Sequence, residues 1–180
     1  GNRGQRAVGA RVASVHSVNP SLTSISFLNP GIEIVDETLD FQVCQVAKLS
    51  GVPMITEPGA PAVPRISRMY RIPELGGVDL VIRNARFDVI ENFNALPYPF
   101  ESAGSSRYTQ DPVFYRQDAW YPENIVEISE PMIFRDFRVV MVTINPVQVN
   151  PVTHSARVYQ DINIDIIAND QPGINELTRP

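Results

Sequence analysis

The chain has 180 residues, 43% of them hydrophobic and 19% charged, a composition that suits one globular domain with a sizeable core. Its formal net charge of −5 excludes the basic surface that nucleic-acid binding needs, and no run approaches the roughly 18 apolar residues of a membrane-spanning helix. Sixteen prolines against ten glycines, spread along the chain, disfavour long helices and favour short strands joined by turns.

Residues 1–20 lack sustained periodicity and read as a loose N-terminal segment, with a short strand near Val12–His16. Gly1 stands where a native start carries methionine, as in a fragment whose targeting segment has been removed. Ser21–Leu28 reads as a strand closed by the turn signal Asn29-Pro30-Gly31. Ile32–Val35 follows, and Leu39–Ala47 alternates with the period of a half-buried strand. That strand carries Cys44, the only cysteine, which excludes an internal disulfide and a cysteine-based metal site and suits a small buried hydrophobe. A catalytic thiol would want His16 or His154 beside it, and both lie in polar, loop-like contexts. Lys48 is the only lysine, so 14 of the 15 basic residues are arginine; a GC-rich genome and a lysine-selective protease partner would both leave that mark.

Between Gly51 and Pro64, four prolines (53, 58, 61 and 64) exclude helix and predict an extended crossing. Arg65–Ile72 resumes as a strand, and Val78–Phe93 is the longest periodic element, with a bulge expected at Asn84-Ala85. Residues 94–123 are rich in Pro, Ser, Tyr and Gly and read as a long irregular loop, a length that usually signals function. Strands return at Asn124–Ser129, Met132–Thr143 and Ala156–Ile167, and residues 168–180 read as a linker. In the last strand Ile162, Ile164 and Ile166 point inward, which puts Asp161 and Asp165 on the outer face. The expected fold is all-β, a single β-sandwich of jelly-roll or Greek-key type over 21–167.

Several blocks carry a resemblance. Phe134-Arg135-Asp136-Phe137-Arg138 is followed by Asn145-Pro146-Val147-Gln148, Asn150-Pro151-Val152-Thr153 and Arg157-Val158-Tyr159. Upstream lie Gly59–Pro64, Ser67-Arg68, Trp120-Tyr121-Pro122-Glu123 and Ser129-Glu130-Pro131. This order and spacing resemble the propeptide of the gingipain-type cysteine peptidases, peptidase family C25, from about residue 38 to 175. Val149 departs from the tyrosine often found before the second Asn-Pro pair. Read on their own, Arg135, Asp136 and Arg138 suit an ion-pair cluster at a strand start, and the two Asn-Pro pairs suit turns around the last hairpin.

The resemblance implies a secreted, periplasmic or cell-surface zymogen. In it, a non-catalytic pro-domain inhibits and chaperones a cysteine peptidase catalytic domain by presenting a basic loop residue to the specificity pocket. In Gly104-Ser105-Ser106-Arg107-Tyr108 the family's inhibitory arginine falls on Arg107, flanked by Ser106 and Tyr108, with Arg116 as the second candidate. A pro-domain whose enzyme has another specificity would use neither. No cofactor and no metal are implied. Two other readings stand beside this one. One is a carbohydrate-binding or adhesive sandwich using Trp120, Tyr121, Tyr115 and Tyr98 as a stacking surface; the other is a docking domain of a sortase-like or inactive relative in type IX secretion. An enzyme is not expected, since no nucleophile elbow, phosphate loop or metal-spaced histidine pair is present.

Overall fold

The computed structural model describes residues 13–15, 19 and 21–179. In chain order the strands are β1 (Ala13–Val15), β2 (Leu22–Leu28), β3 (Ile32–Leu39), β4 (Gln42–Leu49), β5 (Ile66–Arg71), β6 (Gly77–Glu91), β7 (Phe100–Ser102) and β8 (Ser105–Arg107). They continue as β9 (Val126–Ile128), β10 (Met132–Phe134), β11 (Phe137–Ile144), β12 (Val147–Asn150) and β13 (Ser155–Asn169), and after β8 comes a helical turn, α1 (Pro112–Tyr115). Of the expected strand Val12–His16, both end residues lie outside the described residues, and β1 pairs antiparallel with β2.

β13 is the spine of the first sheet. β6 runs antiparallel to it along its whole length, while β2 and β12 follow one another along its other side. Register shifts leave Gln160 unopposed on β13 and Arg83 unopposed on β6, one residue from the bulge that Asn84-Ala85 suggested. The second sheet centres on β11, with β5 on one side and β10 and β9 in tandem on the other. The sheets face each other across one core. From the first come Ile25, Phe27, Ile162, Ile164 and Ile166, and from the second Ile66, Val126, Val140, Val142 and Ile144. The outward Asp161 and Asp165 pair with Arg86 and Arg83, so the alternation read along β13 is the one observed. The architecture is the expected all-β sandwich.

The motif residues are buried nodes between segments. Asn145, fully buried, donates to the Asn124 carbonyl (2.8 Å) and accepts from Arg65 Nε (2.9 Å). Gln148 donates to the Pro122 carbonyl and accepts from the Tyr159 hydroxyl. Asn150 accepts from the backbone N–H groups of Val152 and Thr153, which makes the turn into β13. Such polar groups are tolerated in a core because each one finds its partner.

Three sequence readings need correcting. The alternation over Leu39–Ala47 crosses a turn: Asp40 and Phe41 have φ of 47° and 68°, and β3 folds back as β4. Met132–Thr143 is likewise two strands, β10 and β11, broken at Arg135 (φ 55°). No Gly, Asn or Pro marks either turn, so periodicity alone ran through both. Nor is there an ion-pair cluster here. Arg138 is 1% exposed and its guanidinium donates to the carbonyls of Pro73 (3.0 Å), Gly76 (2.7 Å) and Ile174 (2.6 Å). The period of β11 sends Arg138 to the core side with Val140 and Val142, where these carbonyls are the groups in reach.

The residues after β13 lie along this end of the body. Gly77 N donates to the Gln171 carbonyl, Leu177 N to the Glu74 carbonyl, and Arg179 pairs with Glu74 while donating to the Asp136 carbonyl.

Candidate functional site: an arginine-bearing hairpin

The segment 94–123, read as irregular, holds three short elements, β7, β8 and α1. β7 and β8 form a hairpin with Ser102 opposite Ser105. The connecting residues Ala103 and Gly104 have φ of 46° and 82°, the pair of left-handed conformations that suits the twist of a two-residue hairpin loop. Asp111 then caps α1, its carboxylate accepting from Val113 N at 3.0 Å, and Pro112 occupies the first turn, where its missing N–H costs nothing.

The base of the hairpin is fixed by packing. Gly59, at φ 84°, lies so close to Asp111 and the Phe100 ring that an added Cβ would sit 2.9 Å from the Asp111 Cβ and 3.4 Å from the ring. Gly59 N donates to the Tyr98 carbonyl, and Asp111 N to the Gly59 carbonyl. The strand is thus held on both flanks just before and after the hairpin. Arg107 stands opposite Phe100 in the ladder, with its guanidinium carbon 4.9 Å from the Phe100 ring centre. This cation–π contact orients a side chain that is otherwise exposed.

Ser106 is exposed opposite Glu101, and Tyr108 is 39% exposed just beyond the ladder. Ser105–Arg107 is therefore a short extended strand on the rim of the molecule, paired on one side by β7. Arg116 is set apart, exposed at the C-terminal end of α1, where its backbone N–H donates to the Pro112 carbonyl. Sequence reasoning missed Phe100, the residue that orients Arg107; the Ala-Gly pair between two short polar runs was the available signal for a hairpin.

The aromatic residues considered for sugar stacking are not assembled into one platform. Trp120 and Tyr121 line an open cleft with Phe114, but the Trp120 ring carries the Arg157 guanidinium at 4.0 Å. Tyr115 packs on the core and donates its hydroxyl to the Ala95 carbonyl, and burial pushes its phenol far above the usual tyrosine range. Tyr98 packs against another cluster, with Cys44 and Leu96. Cys44 itself is fully buried and burial raises its thiol pKa. His154 is exposed at the β12–β13 turn, and His16 lies outside the described residues. Among the described residues no group of three or more His, Cys, Asp or Glu is placed to hold a metal, and no helix is long and apolar enough to cross a membrane.

The Propeptide_C25 family model matches residues 4–178. The chain belongs to that propeptide family. Relatives include gingipain R2 of Porphyromonas gingivalis, 26% identical over 168 residues that make up 90% of this chain and 23% of the relative. Gingipain R1 of Porphyromonas gingivalis is 26% identical over 176 residues, 93% of this chain and 17% of the relative. The propeptide domain thus spans less than a quarter of the length of these relatives. Its fold is that of the propeptide in the complex of the Porphyromonas gingivalis RgpB pro- and mature domains. The TM-score is 0.81 at 23% identity, over 94% of this chain and 91% of that one. A structure bearing on the zymogenic latency of gingipain K from Porphyromonas gingivalis matches with a TM-score of 0.71 at 15% identity, over 87% of this chain and 92% of that one.

Proposed function

We propose that this propeptide domain holds a gingipain-type cysteine peptidase latent by seating Arg107 in the specificity pocket of the catalytic domain. One observation carries the reading: in a chain of the propeptide family, Arg107 is an exposed arginine on a short extended strand, held at its base by Phe100, Gly59 and Asp111. Proteases bind substrates as extended chains, so Ser105–Tyr108 offers the enzyme a substrate-like stretch already in shape, with less ordering entropy to lose than a floppy loop. A pocket that selects arginine is acidic, and a guanidinium–carboxylate pair removed from water is strong and bidentate. Ser106 and Tyr108 lie on either side of the anchor, and Arg116 is held to be outside the contact. Pairing with β7 holds Arg107 in its ladder, and on this reading the bond after Arg107 is held away from the nucleophile or cut slowly on maturation.

On the same reading the domain assists folding, since a partner that binds only the folded peptidase stabilises that state by linkage. It acts outside the cytoplasm, as a secreted or cell-surface zymogen. The test is inhibition of an arginine-selective gingipain-type peptidase by the purified domain. Removing a buried anchor costs on the order of 2 kcal/mol or more, so Arg107→Ala is expected to raise the inhibition constant about 30-fold or more. Arg116→Ala is expected to stay near wild type. Equal inhibition by wild type and Arg107→Ala would refute the reading.

A further inference from the structure

The most exposed large apolar side chain of the described residues lies far from Arg107 in sequence. Phe41, at the tip of the β3–β4 hairpin, is 103% exposed and has φ 68°, beside Asp40 at 47°. Both turn positions are left-handed, a conformation that glycine and asparagine adopt with least strain and a bulky aromatic rarely adopts. Folding therefore gains nothing from this ring, neither burial nor turn preference. Strain of this kind, persisting on an exposed tip, points to use. Ile32, Ile34 and Val43 share one face of the ribbon by register and are each 38–52% exposed, with the Asp36–Gln45 pair between Ile34 and Val43.

The geometry points to Phe41 as a second anchor, seated in an apolar pocket of the same peptidase domain that receives Arg107; this rests on the reading of Arg107 given above. β4 is joined in the parallel sense to residues 94–96, with Gln45 N donating to the Asn94 carbonyl (2.7 Å) and Leu96 N to the Gln45 carbonyl (2.8 Å). Residues 94–98 are joined in turn to 59–62 through Ala62 N to Leu96 O and Tyr98 N to Ala60 O, both 2.8 Å. Buried Cys44, Val46, Ala62 and Leu96 cement the three segments. Because β4 and 94–98 run in the same direction, Phe41 lies at one end of this ridge, and 94–98 leads on to the Arg107 hairpin at the other.

Four residues from Phe41 to Gln45 and five from Ala95 to Phe100 put the two ends at most about 30 Å apart. A catalytic domain of roughly 250 residues has a radius of gyration near 18 Å and hence a diameter on the order of 45 Å. A partner gripped at Arg107 is thus wide enough to reach Phe41, and a stiff ridge with one side chain at each end binds it at two points. Asp40 beside Phe41 and Asp36 on the face of Ile34 and Val43 are exposed, so a basic rim on the receiving pocket would complement the tip.

The test measures binding of the domain to the mature peptidase by biolayer interferometry, with thermal unfolding and sedimentation velocity of the free domain alongside. Phe41→Asn suits the left-handed turn, so its melting temperature is expected to equal or exceed that of wild type while its Kd rises tenfold or more. Opposite signs separate docking from folding. Phe41→Trp, which keeps a large ring, is expected to bind within threefold of wild type. A Kd for Phe41→Asn within twofold of wild type overturns the proposal, as does an effect confined to self-association of the free domain. No binding by the wild-type domain would overturn the latency reading as well, an outcome distinct from normal binding by Phe41→Asn.

Discussion

Arg138 is a buried cation whose hydrogen bonds go to three carbonyls on two segments, the β5–β6 turn (Pro73, Gly76) and the C-terminal stretch (Ile174). Each hydrogen bond from a charged donor contributes a net ~1.5–3 kcal/mol, giving roughly 5–9 kcal/mol for three. The Nε of the same guanidinium is buried without a partner, at a cost of about 1–3 kcal/mol, and three bonds from one group do not add fully, which together offset about half of that. Arg138→Ala is therefore expected to lower stability by about 3 kcal/mol, measured by urea unfolding with an unchanged slope. Arg138→Lys, which keeps the charge but not the planar fork, is expected to lose about half as much. Hydrogen exchange adds a local readout, since Gly77 N bonds Gln171 and Leu177 N bonds Glu74. Both amides are expected to lose protection in Arg138→Ala before the rest of the sandwich does. A loss under about 0.5 kcal/mol, with the two amides still protected, would refute this account of the clamp.

Ile162 is fully buried between the sheets, and Ile162→Ala is expected to cost about 2–5 kcal/mol in chemical denaturation. Gly59→Ala places a Cβ 2.9 Å from Asp111 at a left-handed backbone position. It is expected to cost about 1–2 kcal/mol and to weaken inhibition by loosening the hairpin base, read as a raised inhibition constant at unchanged fold by circular dichroism. Asp165 is held below the usual carboxylate range by hydrogen bonds from Ser24 and then Arg83. Its contribution to stability is complete above the unfolded carboxylate pKa and is lost as pH falls through the lower folded value. In Ser24→Ala the Asp165 pKa is expected to rise, followed by NMR titration, and the stability gap to wild type is expected to be present at neutral pH and to close in acid. Cys44, buried and with a raised thiol pKa, is expected to react with Ellman's reagent in the native state at least a hundredfold more slowly than in urea.

The sandwich was legible because its core obeys a period of two. Ile162, Ile164 and Ile166 alternate with charged or polar neighbours, and the proline-rich crossing at 51–64 could only be extended. The turns at Asp40-Phe41 and Arg135-Asp136 were not legible, because each offers a lone aspartate as its turn residue, with no Gly, Asn or Pro, beside a residue that reads as strand or surface. Arg138 escaped for a different reason. Its acceptors come from positions 73, 76 and 174, which only the tertiary fold brings together, so a residue type that is nearly always solvated read as an ion-pair partner. For the candidate site, Arg107 was named from its family position; Phe100 reaches it only once the local hairpin is recognised, and Gly59 packs on Phe100 and Asp111 from a distant part of the chain.

The most direct trial of the pocket claim exchanges the anchor's headgroup. Wild-type domain and Arg107→Lys are each titrated against one peptidase that selects arginine and one that selects lysine, and four inhibition constants are compared. If the side chain of residue 107 fills the specificity pocket, Arg107→Lys loses at least tenfold against the first enzyme and gains against the second. Four constants that move together, or not at all, would contradict it.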